Sequence, residues 1–149
     1  MSPGRRARLR DDAGSTLPLV AGFGALALAL VLVAAAASSL YLERKQLFTL
    51  ADGAALVGAE AFDLDAVTVV DGHPDVELHP ADVLRDVRSF LASTPNGGFD
   101  GLVLEQATTP DGESATVTLS AVWRPPVVTA FFPEGLRIEA TATARAVFG

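Results

Sequence analysis

The hydrophobic pattern changes character along the chain. From Ala13 to Leu42 no formally charged residue occurs, and Leu17 to Ala37 is built almost wholly of Leu, Val, Ala and Gly, without the polar face of a surface helix. An apolar helix needs about 20 residues to cross a hydrocarbon core of about 30 Å, so this run predicts a membrane span that Leu40 and Tyr41 extend. Pro18 falls in the first turn, where its missing N–H would have no intrahelical partner. From Gln46 to Phe62 the pattern becomes amphipathic. At 100° per residue, Leu47, Phe48, Leu50, Ala51, Ala54, Ala55, Val57, Gly58, Ala61 and Phe62 share one half of the cylinder. Thr49, Asp52, Glu60 and Asp63 fill the other half, with Leu56 out of place. The two stretches join into one predicted helix over residues 16–62, about 70 Å long at about 1.5 Å per residue.

Past that helix the period shortens. Leu64 to Val70 is a short β-rich run ending in the turn-like Asp71-Gly72-His73-Pro74. Pro80 to Ser93 predicts a second helix, with Val83, Leu84, Val87, Phe90 and Leu91 on one face and Pro95-Asn96-Gly97-Gly98 ending it. Leu102–Thr108 and Ala115–Trp123 predict a hairpin around Thr109-Pro110-Asp111-Gly112-Glu113, whose Gly suits the left-handed position of a bulged turn. In the last strand Leu136, Ile138, Ala140, Ala142, Ala144, Ala146 and Phe148 alternate with Arg137, Glu139, Thr141, Thr143, Arg145 and Val147. Its Ala-rich face admits a close helix backbone, and the amphipathic helix presents Ala51, Ala54, Ala55, Gly58 and Ala61, so the two are expected to pack together. The predicted fold class is α+β: a long N-terminal helix, pseudopilin-like in layout, on a small antiparallel sheet of three to four strands with one further helix.

Charge adds orientation. Residues 1–12 carry Arg5, Arg6, Arg8 and Arg10 against Asp11 and Asp12, while the other flank has Arg44 and Lys45 against Glu43. Cytoplasmic flanks are enriched in Lys and Arg, which predicts a single-pass cell-membrane protein with its N-terminus inside and its C-terminal module outside. The expected organisation is a basic leader over 1–14, a span over 15–42, an amphipathic continuation over 43–62 and an exported α+β domain over 63–149. A secretory signal cut after Ala35-Ala36-Ala37, before Ser38, is the competing reading. Signal h-regions run about 7 to 15 residues, shorter than this run.

About 85 residues beyond the helix hold one small domain, which buries only about 60–65% of its unfolded surface and so draws on the preceding helix for core. Gln46 to Gly149 carries 15 acids and 5 bases, a net charge of −10 that argues against nucleic acid and anionic lipid as partners of the exported part. Cysteine is absent, which removes disulfides, thiolate chemistry and Cys-type zinc sites.

Sites for catalysis are poorly supported. His73 and His79 with Asp71 and Asp75 fit no metal-ligand spacing and lie in a Pro/Gly/Asp-rich loop. Asp63, Asp65, Asp71 and Asp75 suggest calcium, but Val67 stands where a D-x-D-x-D-G loop needs its third ligand. No G-x-S-x-G elbow, P-loop or Gly-rich nucleotide loop occurs. The expectation is a non-enzyme with no catalytic, cofactor or metal residues and no small-molecule substrate.

Two stretches suggest contacts. Ala21, Ala25 and Ala29, with Gly22 and Gly24 beside them, form a small-xxx-small row that lets another membrane helix approach closely. Val127, Val128, Phe131 and Phe132, held between Pro125-Pro126 and Pro133, either plug the end of a small core, the favoured reading, or form an exposed docking loop.

The N-terminal third resembles the TadE/TadG-like proteins of tight-adherence (Flp-type) pilus assembly. The resemblance rests on the Arg/Asp-rich leader, Gly14-Ser15-Thr16, the apolar run, and Tyr41-Leu42-Glu43-Arg44-Lys45-Gln46-Leu47 continuing into Ala51-Asp52-Gly53-Ala54-Ala55-Leu56-Val57-Gly58-Ala59. It implies a processing site between Gly14 and Ser15, although the Glu that prepilins and TadE proteins carry five residues into the mature chain is replaced here by Leu19. That departure places the chain closer to the TadG-like side. The implied function is a non-enzymatic, membrane-anchored part in assembly of such a pilus or a related secretion apparatus, with other assembly or secretion membrane proteins as partners. An anchored or secreted extracytoplasmic binding module unrelated to pili is the alternative.

Overall fold

The computed structural model describes residues 16–62, 68–70, 73–75, 77–95 and 98–145, with side chains described for these except 68–70 and 73–75. The described chain divides between Ala34 and Ala35 into two compact units. Helix α1 (Leu17–Ala59) contributes to both. Up to Ala35 every described residue of α1 is exposed.

The second unit is α+β. Helix α2 (Pro80–Ser93) has the bounds its periodicity predicts, opening with Pro at its first turn and burying Val83 and Val87. Strands β3 (Asp100–Thr108), β4 (Ser114–Trp123) and β5 (Leu136–Arg145) form an antiparallel sheet in the order β3-β4-β5. A separate two-stranded antiparallel ribbon pairs β1 (Thr68–Val70) with β2 (His73–Asp75). A single helical turn, α3 (Pro126–Thr129), lies between β4 and β5. The hairpin loop Thr109–Glu113 falls where expected, with Gly112 at φ 75°, and its carbonyl accepts the Leu78 N–H at 2.7 Å, fastening the segment before α2 to the sheet.

The core lies where the upper half of α1 meets the sheet and α2. Leu47, Ala51, Ala54 and Ala55 of α1 are fully buried with Val117 and Leu119 of β4, and Ala140, Ala142 and Ala144 of β5 close the same cluster. Small residues bring the backbones together: a Cβ added to Gly58 would stand 3.0 Å from the Ala115 Cβ, 3.1 Å from Val83 Cγ1 and 3.3 Å from Val87 Cγ2. The expected association of α1 with the sheet is thus observed: the small residues of α1 share one core with the alanines of β5, and the closest approach falls on β4 and α2.

Two details differ from the sequence pattern. Phe48 is half exposed although it shares the azimuth of buried Ala55 and Ala59, whereas Leu47 beside it is fully buried, so at this level the module covers the Leu47 side of α1 and leaves the Phe48 side open. Leu136 is exposed and Ile138 only partly buried, so the apolar face of β5 is covered from Ala140 onward. The run of residues 146–148 that continues the alternation, and residues 64–67 of the first β-rich run, lie outside the described residues.

Candidate interaction surfaces

The outer face of the sheet is polar by alternation. Thr116 and Thr118 of β4 face Thr143 and Thr141 of β5 in register, and each pair shares a hydroxyl hydrogen bond at 2.9 Å. Further along, three strands converge on one cluster. The Ser120 hydroxyl donates to Glu105 Oε1, while Arg137 Nη1 donates to the Ser120 Oγ at 2.7 Å and to Glu105 Oε1 at 3.0 Å. Ser120 is fully buried beneath its two neighbours, so its oxygen is closed to any substrate and the trio ties β3, β4 and β5 together. Sequence reasoning passed over this cluster. The visible signal was a small polar residue, Ser120, in line with Glu105 and Arg137 on the neighbouring strands.

At the hairpin end, Asp111 accepts from the Ser114 hydroxyl and from the backbone N–H groups of Ser114 and Glu113. These donors, the Ser114 hydroxyl foremost, favour the charged carboxylate and lower its pKa to about 2. Arg145 and Glu113 form an ion pair beside it.

Among the described residues no group of His, Asp and Glu is arranged to hold a metal ion. His79 caps α2 by backbone position alone, without a side-chain capping bond. The side chains of His73, Asp63, Asp65, Asp71 and Asp75 lie outside the described residues, as do Gly14 and Ser15 of the expected processing site.

The small-residue row is in place on α1: Ala21, Gly22, Ala25 and Ala29 are exposed, and a Cβ added to Gly22 or Gly24 would meet nothing within 4 Å. The favoured expectation for the Pro-bounded stretch is corrected. Phe131 and Phe132 do not plug the core; they follow the α3 turn, their N–H groups bonded back to the Val128 carbonyl, and are 79% and 59% exposed, while Trp123 at the end of β4 is buried. Val127 and Val128 are half-buried. Trp123 also donates its indole N–H to the Ser39 Oγ of α1 at 3.3 Å, a contact between residues 84 positions apart.

These features define a class: an apolar N-terminal helix running on into a small α+β module. Residues 14–61 match the family model described as putative Flp pilus-assembly TadE/G-like, so the N-terminal third of the chain is TadE/G-like. The matched segment is α1 with its buried upper half, down to Ala61 in the core. Neither the comparison with curated proteins nor that with solved structures gave a match. By length and composition α1 is able to cross a membrane, which is compatible with an anchor; a signal sequence meets the same requirement.

Proposed function

We infer that the protein is a non-enzymatic, single-span component in the assembly of a tight-adherence (Flp-type) pilus or a related secretion apparatus. The observation that carries this reading is the coincidence of the TadE/G-like match, residues 14–61, with an apolar helix that no described residue covers before it enters the module core. The lower part of α1 anchors the chain and presents Ala21, Gly22, Ala25 and Ala29 to other membrane helices. The module stands outside and docks on other assembly proteins, with the N-terminus in the cytoplasm, as the four Arg of the leader support. Leu19 in place of an acid favours the TadG-like side: in a packed filament an acid there would offset a neighbour's N-terminal charge inside a low-dielectric core.

Deleting the gene tests the reading. Surface pili and adhesion should fall and be restored by the native chain. Unchanged pili, export and adhesion would contradict it, and a soluble ligand held by residues 63–149 would favour a binding module instead.

A further inference from the structure

We propose that the β4–β5 connection is a second membrane contact, in which Phe131 and Phe132 enter the outer leaflet beside the exit of α1. The inference rests on the anchoring read above and adds to it a site that α1 does not supply.

Both ends of the connection meet α1 immediately after its apolar run. On one side Trp123 hydrogen-bonds Ser39. On the other, Arg137 and Ile138 line a groove with Leu40 and Arg44. The opposite end of β4 lies against Gly58, through Ala115, so β4 runs antiparallel to α1 and delivers the connection to the 39–44 level. That level is where the uncharged run gives way to Glu43, Arg44 and Lys45 and where Tyr41 is 68% exposed, the position of an interfacial aromatic.

The connection is built for an apolar, weakly hydrated setting. Pro125 to Pro133 carries no charge, with Arg124 before it and Glu134 after it. Its backbone groups bond internally: Val128 and Thr129 N–H donate to the Pro125 carbonyl at 3.0 Å, and Phe131 and Phe132 N–H to the Val128 carbonyl at 3.0 and 2.7 Å. Internal pairing removes the main cost of bringing a turn against lipid. Gly135, at φ 74°, folds the chain back on Trp123, since a Cβ there would stand 2.7 Å from the Trp123 carbonyl oxygen. The two Phe side chains are left largely exposed. A bilayer surface at the 39–44 level meets them without a further partner, and aromatic side chains are favoured at that depth.

The chain has no native Cys, so single labels can be placed in the full-length protein. Spin labels at Ala130→Cys, Leu28→Cys and Pro110→Cys, in phosphatidylcholine vesicles, would be compared for collision with oxygen and with a water-soluble nickel chelate. The label at 28 should be in lipid and that at 110 in water. The label at 130 should be shielded from nickel about fivefold relative to 110 while open to oxygen. Adding Phe131→Asp and Phe132→Asp should return 130 to water and leave 28 unchanged. A label at 130 in water, or shielded from both reagents by a protein partner or second copy, with 28 still in lipid, overturns the loop contact alone. A label at 28 in water overturns the anchor and the loop contact together.

Discussion

Gly53 and Gly58 lie on the same helix and should respond to alanine in opposite directions. A Cβ at Gly53 meets Phe90 Cζ at 3.4 Å, ordinary contact, so Gly53→Ala should gain the helix preference of about 0.5–1 kcal/mol. At Gly58 the nearest atom is the Ala115 Cβ, fixed to the backbone of β4, and two valine methyls close the remaining space. Overpacking of about 1–3 kcal/mol then outweighs the helix gain, and Gly58→Ala should lose about 1 kcal/mol in denaturant unfolding followed by Trp123 fluorescence. Asp111 makes the module's acid sensitivity testable. Its folded pKa of about 2 lies below the ordinary 3.8, so its contribution is complete above about pH 4 and is lost as pH falls toward 2. The native chain should lose more stability than Asp111→Asn across that interval; parallel pH profiles would show that the Ser114 bonds do not hold the hairpin.

At the scale of elements, α1 is both connector and core. Residues 63–149 alone lack Leu47, Ala51, Ala54 and Ala55, all fully buried, and should fold poorly, while a fragment starting at Gln46 should be markedly more stable to heat. Equal stability of the two would reduce α1 to a tether. Within the lower helix, Ala25→Leu should weaken crosslinking to a partner helix without impairing export, because a bulky side chain blocks close approach in lipid. Unchanged crosslinking would mean that the row is ordinary membrane filling. Much of this level was legible in the sequence, since period and punctuation are local signals: the bounds of α2, the Thr109–Glu113 loop and the buried Ala140, Ala142 and Ala144 follow from them. What was not legible depends on where elements end up in space. An apolar Pro-bounded stretch looks alike whether tucked in or turned out, and the Trp123–Ser39 bond joins segments no local pattern relates.

For the whole molecule, the proposed account is of a chain held in a membrane by α1 with its α+β module displayed for assembly contacts; the sequence pattern, the exposure of the described lower helix and the TadE/G-like match over residues 14–61 support it. The readings that compete with it differ in what becomes of the N-terminus. A prepilin-type cut would leave a chain beginning at Ser15, which Leu19 argues against; a secretory cut would leave a soluble chain beginning at Ser38, which the length of the apolar run argues against. The most direct test is the intact mass of the native protein after separation of membrane and soluble fractions. The account predicts a membrane-bound chain that retains the leader and the whole of α1, whereas a soluble chain beginning at Ser38 would contradict it.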